Sequence, residues 1–193
     1  MNQFARQTIA NVTDDDHVIT NAFVALLDKI GPAILIPHSM SGPFGMLAVI
    51  KSPKVRALVT YEPARMVFPA GEPRPPIVLS DGSLRTRDLE VPLSDFMKLT
   101  KIPIQVVYGD NIPTTPDPVL MRDSRRGQVI AAKQFVDAVN RHGGDAQFLS
   151  LPEVGLYGNT HFMFFDLNNV QVADLLSEFL HRKGLDMRGE KHE

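Results

Sequence analysis

The chain has 193 residues, which favours one domain with a substantial buried core. Its formal net charge of −2 and the absence of a Lys/Arg cluster give no reason to expect a nucleic-acid or other anionic partner. It has no cysteine, which excludes disulfides and thiolate metal sites. It also has no signal-peptide pattern and no apolar stretch of bilayer length, so we expect a cytoplasmic protein without a membrane partner.

The first predicted elements are a helix over 14–30 and a short strand over 33–36. Apolar residues recur at helical spacing through the helix, and the pair Gly31-Pro32 ends it. The strand reads Ala-Ile-Leu-Ile, and such wholly apolar runs are typical of strands buried on both faces of a parallel sheet. A second helix over 42–50 and a second strand over 54–61 follow.

Residues 63–103 differ from their surroundings because prolines are concentrated there, among scattered charges and glycines. Proline cannot donate to a strand ladder, so we predict a lid-like excursion over the sheet. A disordered loop is the alternative interpretation.

The remaining elements again alternate between strand and helix. We predict a strand over 104–108, a helix over 127–141, a strand over 146–151 and a closing amphipathic helix over 170–183. Strands that alternate with helices indicate an α/β fold, with a mostly parallel sheet covered on both faces. We therefore predict a single domain over residues 1–193.

The most informative segment is the run ILIPHSMSG at 34–42. A buried strand leads through Ser39 into a helix, and a nucleophilic serine requires this strand-turn-helix arrangement. The turn lifts Ser39 Oγ clear of the sheet, and the N–H of Met40 is placed to stabilise an oxyanion. Pro37 and Ser41 stand where the G-x-S-x-G pattern has glycines. The alternative is an ordinary serine cap at a strand-helix junction.

A serine hydroxyl is a weak nucleophile until a base removes its proton, and imidazole is the usual base. In this topology the histidine follows the last strand, and His161 lies there, after the Gly-rich loop that begins at Pro152. The alternative is a loop histidine without a function. We interpret His38, which adjoins the serine, as structural.

Two acidic residues compete to orient His161. Asp110 follows the third predicted strand, and Glu62 follows the second. Both come at the carboxyl end of a parallel strand, where the sites of such sheets gather. The spacing does not choose between them.

Four segments together resemble the α/β-hydrolase superfamily, and within it the bacterial esterases of the esterase 713 type: HSMSGPFG, YEP, YGDNI and LPEVGLYGNTHFMFFDLNNVQVADLL. The resemblance covers about residues 32–180 outside the Pro-rich segment. It implies an α/β-hydrolase fold with Ser39 as nucleophile, His161 as base and Glu62 as acid. On this resemblance Asp110, the alternative acid, becomes a structural residue at a strand end.

The α/β-hydrolase fold normally has about four strands before the nucleophile, and a loop among them supplies the second oxyanion donor. Only about 30 residues precede the elbow here, so the N-terminal strands are expected to be missing. Two explanations are open. The sequence is a piece of a longer enzyme, whose missing part could carry an export signal, or the exposed sheet edge pairs with a second copy in a homodimer.

We expect a serine hydrolase that cleaves small-molecule carboxylic esters through an acyl-enzyme intermediate. No metal or organic cofactor is expected, because no His/Asp/Glu cluster has ligand spacing. Two alternatives stay open. One is a catalytically silent binding or assembly module that keeps the hydrolase fold, and the other is cleavage of a thioester or an amide.

Overall fold

The computed structural model describes residues 15–186 and contains six β-strands. Four of them form a parallel sheet in the spatial order β1-β2-β5-β6, and β3 pairs in parallel with β4 in a small second sheet. The strands are β1 (Ala33–Leu35), β2 (Val55–Tyr61), β3 (Val67–Pro69), β4 (Leu89–Val91), β5 (Pro103–Tyr108) and β6 (Asp145–Ser150). The predicted parallel α/β sheet is therefore confirmed, with β1 at one edge of the described sheet.

Within the same described range, five α-helices accompany the strands: α1 (Asp16–Ile30), α2 (Gly42–Lys51), α3 (Leu93–Leu99), α4 (Leu120–Arg141) and α5 (Asn169–Arg182). The carboxylate of Asp15 caps α1 by accepting a hydrogen bond from the N–H of His17 at 2.7 Å. The first predicted helical residue, 14, lies outside the described residues. Helix α4 begins at Leu120 and not at 127, the predicted start, so residues 120–126 are helical as well.

Apolar side chains on the two faces of the sheet enter two separate cores. The neighbours Leu58 and Val59 in β2 are both fully buried, one in each core. The first core joins the sheet to helices α1 to α4, and Phe135 of α4 lies within it. The second core joins the sheet to α5 through Phe179. This burial on both faces explains why β2 and β5 read as nearly continuous apolar runs.

The Pro-rich segment 63–103 is folded onto the first core. It contains β3, β4 and α3, and its buried Phe68 and Phe96 each contact the ring of Phe135 edge-on, with centroids 6.4 Å apart. Buried aromatic pairs of this geometry stabilise a core beyond their area alone. The segment is therefore not a disordered loop, and its lid-like role stays a prediction.

Buried carboxylates hold this segment together and tie it to α4. Asp88 accepts a hydrogen bond from the N–H of Met66 at 2.9 Å and pairs with Arg85, and both charged side chains are buried. Asp123, in the first turn of α4, accepts the N–H of Ser80 at 2.7 Å. These bonds fix a stretch that is poor in regular secondary structure.

The four strands of the main sheet are parallel, so their carboxyl ends meet at one edge. Each of the candidate site residues follows a strand at that edge: Ser39, Glu62, Asp110 and His161. None of the helices within residues 15–186 combines the length and the apolar character that crossing a membrane requires.

Candidate active site

The backbone at Ser39 makes a sharp turn. His38 is extended (φ −127°, ψ 141°), whereas Ser39 has a positive φ of 56° and begins a 3₁₀ turn that leads into α2 at Gly42. A left-handed conformation costs a residue with a side chain on the order of 1–2 kcal/mol, so the surrounding structure must hold it. Strain of this kind at a strand-turn-helix junction is what raises a serine hydroxyl above a sheet.

Ser41 closes the turn from within. Its hydroxyl donates to the carbonyl of His38 at 2.7 Å, and the N–H of His38 donates to Ser41 Oγ at 2.9 Å. Ser41 has φ −80°, so the backbone there does not require glycine. The two hydrogen bonds give a physical reason for a serine at this position of the G-x-S-x-G pattern.

Pro37, the other departure from that pattern, packs against helix α2. A Cβ added at Gly45 would lie 2.7 Å from Pro37 Cγ, closer than real Cβ contacts allow. The carbonyl of Pro37 also accepts the N–H of Tyr61 at 3.0 Å, which ties the turn to the end of β2. In the G-x-S-x-G pattern, glycines beside the serine let the turn and the helix pack closely. Here Gly45, in the first turn of α2, leaves the space that Pro37 occupies.

Glu62 lies immediately after β2 and has a positive φ of 43°. Its side chain is fully buried, and its N–H donates to the carbonyl of Val107 at 2.8 Å. One carboxylate oxygen, Oε1, accepts the N–H of Gly109 at 2.9 Å. The other, Oε2, contacts His161 and forms an ion pair with Arg125. A buried carboxylate needs such compensation, because an isolated one would lose its hydration without replacement.

His161 joins Glu62 to Ser39. Its Nδ1 lies 2.5 Å from Glu62 Oε2, and its Nε2 lies 2.8 Å from Ser39 Oγ. With the proton on Nδ1, the ring donates to the carboxylate and accepts the serine hydroxyl at Nε2. The structure thus brings together three residues that the sequence predicted as nucleophile, base and acid. They are separated by up to 122 positions in the sequence.

Polar side chains hold the loop that carries His161. The buried amide of Asn159 exchanges two hydrogen bonds with the amide of Asn168, at 2.7 and 3.1 Å. Asp166 accepts both the N–H and the hydroxyl of Thr160, at 2.7 and 3.0 Å. These contacts fix the backbone on both sides of His161. Sequence analysis did not single them out.

His38 contacts this loop as well. Its Nε2 lies 2.7 Å from the carbonyl oxygen of His161, and the two ring centroids are 4.5 Å apart. Burial lowers the pKa of His38, which favours a neutral ring that donates to this carbonyl. The interpretation of His38 as structural agrees with this contact, although the sequence did not indicate what it would hold.

Asp110, the alternative acid, has other partners. Its carboxylate accepts the N–H of Gly158 at 2.8 Å and the N–H of Asn111 at 2.6 Å. These bonds connect the end of β5 to the histidine loop. Of the two candidate acids, Glu62 is the one whose carboxylate contacts the ring of His161.

Burial lowers the pKa of His161 below the ordinary value for histidine, and the nearby Arg125 guanidinium lowers it further. Arg125 is a residue that sequence analysis missed, because it lay outside the predicted helix over 127–141. Its helical position on α4 directs it to Glu62. Within the described residues, no group of three His, Asp or Glu side chains is arranged to hold a metal ion.

Comparison with known proteins shows which proteins share this architecture. No family model matches the chain. The solved structure of a novel bacterial esterase superposes with a TM-score of 0.62 and 30% sequence identity, covering 84% of this chain and 42% of the esterase. VinJ superposes with a TM-score of 0.52 at 12% identity, covering 87% of this chain and 73% of VinJ, a likeness of fold alone.

One curated relative is similar in sequence. It is the "Probable secreted lipase phiG" of Fungal sp. (strain ATCC 74256), which is 25% identical over 181 residues, covering 85% of this chain and 50% of the lipase. The chain thus spans about half the length of this lipase and less of the bacterial esterase. The word "secreted" describes the lipase, and the cytoplasmic location expected for this chain stays a prediction. The parallel sheet, the position of Ser39 at its carboxyl edge and the match to the bacterial esterase agree: the chain has an α/β-hydrolase fold and resembles the bacterial esterases that share it.

Proposed function

We propose that the protein is a serine hydrolase that cleaves carboxylic esters through an acyl-enzyme intermediate. The observation that carries this proposal is the continuous line of contacts from Ser39 Oγ through the His161 ring to Glu62 Oε2. A hydroxyl within 2.8 Å of an imidazole, whose other nitrogen is held by a buried carboxylate, has the geometry of general-base activation.

The reaction begins when Ser39 Oγ attacks the acyl carbon of the ester. His161 Nε2 takes the hydroxyl proton as the new bond forms, and the resulting imidazolium is stabilised by Glu62. The same proton then passes to the departing alkoxide, and the C–O bond to the alcohol breaks. In the second half, His161 takes a proton from water, the hydroxide attacks the acyl-enzyme, and the proton returns to Ser39.

The negative charge that develops on the carbonyl oxygen is stabilised by a hydrogen-bond donor that is already in place before the reaction. We assign Met40, whose N–H follows Ser39 within the 3₁₀ turn, as one such donor. The exposed side chain of Met40 is not needed for this role, because the donor belongs to the backbone. One donor of this kind is worth on the order of 100-fold in rate.

The relatives support the proposal at a coarser level. The bacterial esterase and the fungal lipase are hydrolases by name, and their names refer to ester substrates. Since this chain spans only about half of the lipase, the activity, its ester specificity and any further donor are proposals for this chain. The experiment must distinguish an esterase from two alternatives. One is a catalytically silent module with the same fold, and the other is a hydrolase of thioesters or amides.

A fluorophosphonate probe tests the nucleophile directly, because it reacts covalently with an activated serine. We expect labelling of Ser39 in the purified protein, located by mass spectrometry of the adduct. Ser39→Ala should abolish it, and His161→Ala should slow it by on the order of 100-fold or more, since the general base is lost. His181→Ala is the matched control, because His181 is an exposed histidine on α5.

Absence of labelling in a folded wild-type protein would favour the silent module and overturn the proposal. If labelling occurs, turnover of matched p-nitrophenyl ester, thioester and anilide substrates identifies the bond that is cleaved. We expect the ester to be the best substrate by kcat/KM. A clear preference for the thioester or the anilide would refute the ester assignment and leave the serine mechanism standing.

A further inference from the structure

The Glu62 carboxylate has an additional partner that the triad chemistry above does not use. Arg125 forms an ion pair with Glu62 Oε2, the same oxygen that His161 Nδ1 contacts at 2.5 Å. The N–H of Gly109 holds the other oxygen at 2.9 Å. One carboxylate oxygen is therefore shared between an imidazole and a guanidinium.

Helix α4 brings Arg125 to this position, and the other two arginines of the same stretch have their own acids. Arg122 pairs with Asp117, and Arg126 pairs with Asp123. The side chain of Arg125 is 25% exposed, and its Nε is buried without a hydrogen-bond partner in the part of the chain that the structure describes. The Nε atom therefore contributes no hydrogen bond that would hold the side chain in place. The ion pair between the terminal nitrogen and Glu62 is the polar contact that positions the guanidinium.

This arrangement changes the charge balance of the site. When His161 is neutral, the negative charge of Glu62 is balanced by Arg125. When His161 becomes protonated, one carboxylate faces two cations. Arg125 thus stabilises the buried carboxylate in the resting site and opposes protonation of the neighbouring ring.

We propose that Arg125 is a positioning residue of the site, which holds the Glu62 carboxylate against His161 Nδ1 and keeps His161 unprotonated to a lower pH than the Glu62–His161 pair alone would allow. This inference rests on the proposed hydrolase function. The consequence is an enzyme whose nucleophile remains activated in mildly acidic solution.

The other ionisable groups near His161 do not supply this effect. His38, from the turn after β1, contacts the His161 carbonyl, and burial lowers its own pKa, so it adds little positive charge. Asp110, from the end of β5, is bound to backbone N–H groups of its own loop and of Gly158. Asp166 is bound to Thr160. Arg125 is the cation that binds the same carboxylate oxygen as the ring, and it lowers the pKa of His161 in addition to burial.

The test measures the rate of fluorophosphonate labelling of Ser39 between pH 5 and 9. The acid limb of this profile reports protonation of the base. For Arg125→Met we expect the midpoint of the acid limb to rise by on the order of one pH unit, because the positive charge beside Glu62 is lost. The labelling rate at high pH should fall, because the contact that positions the Glu62 carboxylate is lost as well. Arg125→Lys keeps the charge and should hold the midpoint near that of the wild type. Arg122→Met, one turn earlier on α4, is the matched control and should leave the profile unchanged.

A second measurement covers the case in which Arg125→Met does not fold. The His161 ring is titrated by carbon-13 NMR in the wild-type protein, and its signal is assigned with His161→Gln. Because burial also lowers the pKa of His161, the same titration is made on Arg125→Gln, which loses the positive charge and should have a higher midpoint than the wild type. An Arg125→Gln midpoint equal to that of the wild type, or an Arg125→Met labelling profile that stays with the wild type, overturns the inference. Failure of the wild-type protein to label at any pH instead overturns the proposed function, and the NMR titration still tests the role of Arg125.

Discussion

Gly42 begins helix α2 directly after the Ser39 turn, and it lies against Pro63, the residue that follows Glu62. A Cβ added at Gly42 would lie 2.4 Å from Pro63 Cβ, 2.9 Å from Pro63 Cα and 3.1 Å from Thr60 Oγ1. Gly42 has φ −53°, so alanine is compatible with its backbone and only the space is missing. The substitution Gly42→Ala therefore tests the packing between the nucleophile turn and the acid.

The magnitude follows from the distance. An ordinary contact begins at 3.4 Å, so Pro63 or Gly42 must move by about 1 Å. Such overpacking against rigid backbone costs about 1–3 kcal/mol in the free energy of unfolding, and each kcal/mol lowers Tm by roughly 2–4 °C at this chain length. Because Glu62 adjoins Pro63, a displacement of this size also misplaces the acid, and a misplacement of about 1 Å can slow catalysis on the order of 100-fold.

The assay combines thermal unfolding with the rate of fluorophosphonate labelling. Gly127→Ala is the matched control, because Gly127 is also helical and its added Cβ would meet side-chain atoms alone: Leu79 Cδ2 at 3.1 Å, with Arg85 and Ile77 at ordinary contact distance. We expect this control to label at the wild-type rate and to gain up to about 1 kcal/mol of stability from helix propensity. Wild-type labelling and an unchanged Tm in Gly42→Ala would refute the packing reasoning.

Three further predictions concern single side chains. Glu62→Gln should reduce ester turnover by on the order of 10³-fold or more, whereas Asp110→Asn should reduce it by less than about tenfold, since only Glu62 contacts the imidazole. Ser41→Ala should destabilise the protein by about 1 kcal/mol, measured by chemical denaturation, because both hydrogen bonds to His38 are lost. Asp123→Asn should be less stable than the wild type at pH 7, and the difference in unfolding free energy should shrink below about pH 4.

The sign of the Asp123 prediction follows from its partners. The guanidinium of Arg126, hydrogen-bonded to the carboxylate, holds the pKa of Asp123 well below its usual range. The stabilisation is then fully present above the pKa of the unfolded chain and is lost as the pH falls towards that of the folded state. A gap that stays constant from pH 7 to pH 3 would contradict it. For the acid, a loss of activity confined to Asp110→Asn would show that the wrong carboxylate has been assigned.

Local pattern was sufficient for the main elements of the fold. Apolar runs bounded by Gly, Pro and charged residues predicted β1, β2, β5 and β6 to within one residue at each end. For the inner strands β2 and β5 this worked because burial on both faces requires a nearly uninterrupted apolar run, which is visible in the sequence. The outer strands differ: β1, expected to be buried on both faces, is half-buried at the edge, and β6 is partly polar and mostly half-buried. The segment 63–103 gave no such signal. Its two short strands and α3 are held by Phe135 and by buried carboxylates, contacts that periodicity does not report.

The candidate site divides in the same way. A strand followed by a turn and a helix indicated Ser39, and the order along the chain indicated His161, because parallel strands bring their carboxyl ends to one edge whatever the details of packing. Spacing could not choose between Glu62 and Asp110, since both follow neighbouring strands at that edge. The direction of each side chain decided it, and that direction depends on the positive φ at Glu62 and on the N–H of Gly109.

The sequence by itself determined the alternation of strands and helices and the chemical types of the reactive residues, because these depend on neighbours along the chain. Spacing left Glu62 and Asp110 open, and only the resemblance implied Glu62. The tertiary structure shows the contact of Glu62 with the imidazole, and it alone revealed that Arg125 shares that carboxylate. Arg125 and Glu62 are far apart in the sequence and come together through the packing of α4 against the sheet. An ion pair formed between distant segments has no period and no local motif, so its existence is a property of the folded core.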